Sequence, residues 1–165
     1  MLVVGIDPGT ATTGYGFVSD HADGSLQVVD FGVILTQANQ PMPERLLELH
    51  SQLNQVILLH HPDSSAVEKL FFQRNVSTAL AVGQARGVVL LALAEAKLDV
   101  TEYTPMEVKQ AVAGYGGAGK AQIQQMVRAL LGLDDIPRPD DAADALAVAI
   151  CHLHSARMRS IYEHA

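Results

Sequence analysis

Four acidic residues stand where stability alone gives little reason for them. Asp7 ends the apolar run "VVGID" and is followed by Pro-Gly-Thr. Glu68 sits inside "AVEKL" with apolar residues on both sides, and a glutamate in that setting seldom serves packing. Asp141 and Asp144 stand three apart in "DDAADALAVAI". On a helix that spacing puts both on one face, about 4.5 Å apart along the axis. The apolar residues that follow mark a helix that docks on a core.

Each acid has a bland explanation when taken singly. Asp-Pro-Gly is a common turn sequence. Asp140, Asp141 and Asp144 suit a helix N-terminus through the macrodipole, and Asp140 is assigned to capping. Taken together the bland explanations weaken. Each pair of carboxylates brought to about 4 Å repels by roughly 4 kcal/mol at an effective dielectric near 20. Divalent cations offset such crowding, and Mg²⁺ favours carboxylate oxygen while keeping waters for a phosphate ligand. Two ions bridged by a shared carboxylate make a phosphodiester-hydrolysing site. No Ser-His-Asp or Cys-His arrangement competes. The histidine groups "HH" (60–61) and "HLH" (152–154) lack a third partner at metal spacing and are read as surface or helix-end residues.

Patterning supplies the elements that must hold these acids. "MLVVGID" reads as a buried strand, "YGFVSD" and "LQVVDFGVIL" as two more, with "PGTATTG" and "HADGS" as turns. "MPERLLELHSQLNQVILLHH" has helical spacing, with Pro43 near its start. "SAVEKLFF" is a fourth strand. "NVSTALAVGQARGVVLLALAEAKL" (75–98) is a long helix capped by Asn75 or Ser77, apolar nearly all round, with Gly83 and Gly87 one turn apart to allow close helix packing. "DVTEYT" is a fifth strand. Helices follow from Pro105 to Val112, from Lys120 to Gly132, and over "DAADALAVAICHLHSARM". Three strands in a meander followed by β/α alternation predict an α/β fold: a mixed five-stranded sheet with helices on both faces. Residues 1–157 are expected to form one domain and 158–165 a flexible tail.

Composition excludes several classes. At 165 residues and 48% hydrophobic, the chain has ample material for one packed core. A single cysteine, Cys151, rules out a disulfide framework or cysteine-based zinc site, suits a reducing cytoplasm, and lies in an apolar helical pattern as a buried small hydrophobe. The N-terminus lacks the basic region of a secretion signal. "GVVLLALAEA", between Arg86 and Glu95, is too short to span a bilayer. The net charge of −7 taken alone argues against a nucleic-acid partner. It is unevenly spread: residues 1–67 hold one base, Arg45, and seven acids, whereas 68–128 hold seven bases and five acids.

The motifs "GIDPGT", "VEKLFF", "VGQARGV", "VKQAVAG", "GKAQIQQMV" and "DAADALAVAI", in that order over residues 1 to 157, closely resemble the RuvC family of bacterial crossover-junction endonucleases, which have a ribonuclease-H-like fold. The resemblance implies a nuclease that resolves four-way (Holliday) junctions by paired symmetric nicks in recombination and repair. It places Asp7, Glu68, Asp141 and Asp144 on the family's catalytic, Mg²⁺-binding acids, with two ions per site and Mn²⁺ as a substitute. Phe71 aligns with an aromatic that stacks on a base. Lys109 and Lys120 align with lysines near the scissile phosphate, so Lys120 joins the catalytic set. Arg74 and Arg86 are backbone-contact candidates. The resemblance also implies a homodimer, expected through the 75–98 helix, a branch-migration motor (RuvAB) as partner, no membrane, and a cytoplasmic, nucleoid-associated location.

The bases suit such a role. Lys69, Arg74, Lys109, Lys120 and Arg128 all come from the positively balanced segment and would attract phosphates. Phe71 and Phe72 offer rings for stacking, against a core role at the strand end. "GYGGAG" offers a flexible approach for Lys120. Three alternatives remain: an actin-like nucleotide phosphotransferase, whose phosphate loop also carries Asp-x-Gly-Thr but on a longer duplicated chain; a non-catalytic junction-binding module; and another ribonuclease-H-like nuclease, such as a YqgF-type resolvase or a transposase core.

Overall fold

The computed structural model describes residues 1–69 and 76–163. The elements run β1 (Leu2–Asp7), β2 (Thr12–Asp20), β3 (Leu26–Leu35), α1 (Met42–His60), β4 (Ser64–Glu68), α2 (Val76–Glu95), β5 (Val100–Tyr103), α3 (Pro105–Ala113), α4 (Lys120–Leu130) and α5 (Asp140–Glu163). They build one five-stranded sheet in the order β3-β2-β1-β4-β5. The meander β1-β2-β3 is antiparallel, while β4 runs parallel to both β1 and β5. This is the mixed five-stranded sheet that the patterning predicts, and it agrees with the ribonuclease-H-like fold that the resemblance implies.

Side-chain parity sorts the strands onto two cores. Val3, Val18 and Ala66 face α3, α4 and α5, meeting Val108, Val127, Leu146 and Ile150. Val4, Ile6, Phe17 and Val67 face α1 and α2, meeting Leu49, Leu53, Val89 and Leu93. Successive strand residues point to opposite faces. Asp7 therefore shares the face of Val3, and Glu68 that of Ala66, which is the face α5 covers. The helix lies directly on the sheet because the strands beneath it omit side chains. A Cβ at Gly5 would stand 2.2 Å from the Ala145 oxygen, and one at Gly14 1.9 Å from the Asp141 oxygen.

The second strand begins earlier than its sequence pattern suggests. Thr12 and Thr13 pair with Leu35 and Ile34 instead of lying in the turn. The turn is stapled there: Thr13 Oγ1 donates to the Gly9 carbonyl at 2.7 Å.

Helix α2 has two unlike faces. Ala85, Val89, Ala92 and Leu93 are fully buried against the sheet, while Leu80 and Leu91 are more than half exposed. Gly83 and Gly87 share that open side, with nothing within 4 Å of an added Cβ. The apolar stretch is longer than the ten residues singled out in the sequence, because Thr78–Glu95 lies in one unbroken helix. By length and composition alone that window is sufficient to cross a membrane. Arg86 sits in its middle, turned into the protein, and the opposite face is spent on the sheet.

Two further expectations change. Helical structure continues through 158–163 where a tail was expected, although Met158 and Ile161 are exposed and lie off the core. His152 is no helix-end surface residue. It is buried, with Nε2 3.1 Å from Ser64 Oγ and Nδ1 3.1 Å from Tyr103 OH, joining β4, β5 and α5. Burial holds its pKa below the ordinary histidine value. Cys151 is buried as expected, which pushes its thiol pKa up to about 12.

Candidate active site

Asp7 and Glu68 come together through strand register. Ile6 pairs with Val67 in the parallel β1-β4 ladder, so the next residues lie side by side at the carboxyl ends of adjacent strands. Asp141 and Asp144 come from the first turns of α5. Across the β1-β2 ladder Asp7 is the partner of Gly14, whose missing side chain lets the Asp141 main chain close in. Two strand ends and the first turns of one helix thus lie beside one another.

The electrostatics confirm the convergence. Burial, and after it the charges of Glu68, Asp144 and Asp141, raise the Asp7 pKa to about 8 against a lowering by Lys120. Glu68 is also raised, first by burial and then by Asp144, with Lys109 opposing. Burial raises Asp144 too, with Lys120 opposing and Asp141 and Asp140 adding to the rise. Asp7, Glu68 and Asp144 are perturbed in this way because buried surroundings screen neighbouring charge little.

On the α3-α4-α5 side these acids open into a cleft of about 190 Å³ whose walls include Glu68, Asp144, Lys109 and Lys120. Lys109 is delivered by α3, which starts on a capping box. Glu107 N–H donates to Thr104 Oγ1 at 3.2 Å, and the Glu107 carboxylate accepts from Thr104 N–H at 2.7 Å. Lys120 opens α4, and its Nζ lies 3.5 Å from Asp144 and 3.1 Å from Asp140. Asp140 is therefore not a cap. Its carboxylate accepts from Lys120 and from Gln124, one turn further along α4, and so fastens α4 to the start of α5.

The other candidate bases separate. Arg86 turns inward: its Nη1 donates to the Glu68 carbonyl at 2.8 Å and its guanidinium pairs with Glu102. It braces the strand end that carries Glu68. Lys69 is exposed, with its N–H donating to the Tyr103 carbonyl at 2.7 Å. Arg128 is exposed two turns beyond Lys120, about 12 Å along α4, and donates to the Asp134 carbonyl. Phe71, Phe72, Arg74 and the proposed Asn75 cap lie outside the described residues. Sequence reasoning missed the bracing by Arg86 and the close approach at Gly14. The alternating glycines of "GYG" were the only available sign of the latter.

A hard divalent cation fits the donors. Four carboxylates, Asp7 the most perturbed of them by burial and by its neighbours, offer the oxygen ligands that such an ion prefers. Among the described residues no three acidic, histidine or cysteine side chains already surround one point. Glu68 and Asp144 share the wall of one cleft, and the Lys120 ammonium supplies the countercharge at Asp144. Binding a cation requires that lysine to shift, and Asp140 gives it a second anion beside the cleft.

The chain is matched in known proteins. The family profile described as crossover junction endodeoxyribonuclease RuvC covers residues 3–152. A crossover junction endodeoxyribonuclease RuvC of Chloroflexus aurantiacus is 60% identical over 156 residues, 94% of each chain. The structure of Thermus thermophilus RuvC superposes with a TM-score of 0.89 at 42% identity over 96% of both chains. T. thermophilus RuvC in complex with a Holliday junction substrate gives 0.88 at 39% identity, again over 96% of both. With the profile spanning most of the chain and such identities over nearly its whole length, the chain belongs to the RuvC family of crossover junction endodeoxyribonucleases.

Proposed function

We propose that the protein is a structure-selective endonuclease that resolves four-way DNA junctions by paired symmetric nicks, in recombination and repair. Membership of the family and the likeness to a RuvC solved with a Holliday junction support the substrate. The observation that carries the chemistry is the placement of Asp7 and Glu68 at the ends of adjacent strands, with the Asp141 turn of α5 packed against Gly14 beside them. That arrangement is unfavourable until cations occupy it.

On this reading Asp7, Glu68, Asp141 and Asp144 hold two Mg²⁺ ions, with Mn²⁺ able to replace them. Bound there, the ions supply an activated water and a countercharge for the leaving oxygen. The chain's own part is electrostatic and positional. Lys109 and Lys120 stand in the cleft beside the acids and offset phosphate charge. Arg86 keeps Glu68 in place through its carbonyl. The apolar floor excludes water and strengthens each of these interactions.

Two symmetric nicks call for two active sites, and the open face of α2 suits a homodimer contact. Leu80, Gly83, Gly87 and Leu91 lie along one side of the helix, two of them bare leucines and two glycines with free space. A second copy across a two-fold axis would cover the same residues on both chains. The chain would work in the cytoplasm at the nucleoid, beside a branch-migration motor.

The test is a nicking assay on a synthetic four-way junction beside a linear duplex, with and without Mg²⁺. Cation-dependent paired nicks confined to the junction are expected. Equal cutting of linear duplex, or cutting in a chelator, would overturn the reading.

A further inference from the structure

A second cleft meets the acids from the opposite side of the sheet. It has a volume of about 600 Å³ and is walled by Gly9, Thr10, Thr12, Arg45, Thr78 and Asp141. Asp141 thus borders this cleft, while Asp144, one turn on, borders the lysine cleft. The acid cluster lies between the two.

Arg45 is the sole base in the first 67 residues. Its Nε donates to Thr36 Oγ1 at 2.9 Å, and Thr36 Oγ1 donates in turn to the Thr10 carbonyl at 2.5 Å. That chain fixes the turn after Asp7 and orients the guanidinium. Among the described residues no carboxylate pairs with Arg45, which leaves the rest of its fork of donors without a protein acceptor. Thr10 adds a second sign. Its Oγ1 is buried with no hydrogen-bond partner, and it belongs to the same wall. A buried hydroxyl without a protein partner needs an acceptor or donor from outside the chain, water or ligand. An arginine and hydroxyls converging beside acids that cut phosphodiesters match a phosphate oxygen, since planar guanidinium donors suit that geometry.

We infer that the Arg45 cleft is a subsite for a phosphodiester of the strand being cut, adjacent to the scissile one. The inference rests on the nuclease reading. A strand whose scissile phosphate lies over the acids leaves the lysine cleft on one side and enters the Arg45 cleft on the other. Arg45 and Thr10 then fix the register of that strand, and Asp141 is placed between the two phosphates.

The experiment replaces single phosphodiesters flanking the cut with uncharged methylphosphonates in a four-way junction and measures binding and nicking. For the wild-type protein, one flanking linkage is expected to weaken binding about tenfold. Arg45→Gln should lose a similar factor on the unmodified junction, lower the slope of log affinity against log salt by about one, and become indifferent to that linkage. Thr10→Val leaves the Arg45–Thr36 bond in place and should show a smaller, linkage-specific loss, so the test survives an unstable Arg45→Gln. If Arg45→Gln or Thr10→Val remains as sensitive as wild type to every flanking methylphosphonate, the subsite is wrong and Arg45 only braces the turn. A wild-type protein that cuts no junction overturns the nuclease reading itself, a separate outcome.

Discussion

Gly14 of β2 meets the main-chain oxygen of Asp141 so closely that an added Cβ would stand 1.9 Å away. Asp7 is the cross-strand partner of Gly14, so this contact brings helix and strand acids to one place. Gly14→Ala must push α5 off the sheet. Forcing atoms into such a contact costs about 1–3 kcal/mol, and each kcal/mol lowers the melting temperature of a chain this size by roughly 2–4 °C. Nicking should fall by far more than the stability loss explains, because Asp141 and Asp144 move with the helix. A variant with wild-type melting and wild-type nicking would show that this contact does not set the site.

The pH dependence of the cation-free protein has a definite sign. The Asp7 pKa is raised from 3.8 to about 8, so the folded chain holds a proton that the unfolded chain has released. Its contribution to stability is complete below about pH 4 and is lost as pH rises through about 8. Asp7→Asn removes that slope. The variant should melt about 3 °C or more above wild type at pH 8 in chelator, the shift produced by about 1 kcal/mol. Mg²⁺ should raise the wild-type melting temperature at pH 8 and leave Asp7→Asn nearly unmoved. Nicking by Asp7→Asn should be lost while junction binding persists. A wild-type melting temperature in chelator that climbs from pH 5 to pH 8 would contradict the buried acid cluster.

Lys120 and Asp140 are expected to separate in their effects. Lys120 lines the cleft beside Glu68 and Asp144, so Lys120→Ala should slow nicking at saturating junction on the order of a hundredfold, with a much smaller change in binding. Asp140 lies outside the cleft wall and holds Lys120 from the exposed side. Asp140→Ala should leave melting unchanged and alter nicking by no more than about fivefold, as expected for a surface pair. Single-turnover rates distinguish the two, and equal losses would place Asp140 among the acting groups.

The open face of α2 gives a prediction about assembly. Leu80→Arg combined with Leu91→Arg places charge on the exposed face and leaves the buried Val89 and Leu93 untouched. Sedimentation should show wild-type dimers and variant monomers with unchanged circular dichroism. Paired nicking should give way to single nicks. A variant that still sediments as a dimer would move the contact elsewhere.

Much of this was readable in the chain. The period-two pattern of β1 and β4 gives each strand two faces, and its parity already puts Asp7 with Val3 and Glu68 with Ala66. The spacing of Asp141 and Asp144 places them on one helix face. Local chemistry of this kind survives in sequence because φ/ψ periodicity ties a residue's direction to its position. The same reasoning located β3, α1, α3, α4 and the order of the sheet's elements.

The rest was decided by contacts between residues far apart in the chain. Asp140 looked like a cap because capping is a local property, and only the docking of α4 beside α5 gives it Lys120 and Gln124 as partners. Arg86 looked like a backbone contact through the family resemblance, which says nothing of its partners inside the fold. The fold instead supplies the Glu68 carbonyl and Glu102. His152 acquires Ser64 and Tyr103 only when β4, β5 and α5 meet. The sequence by itself determined which residues were acidic, on which face each would lie and which family the chain resembles. Tertiary structure alone decided how closely those acids approach and which bases remain free to meet phosphate, because both depend on packing across the sheet and not on spacing along the chain.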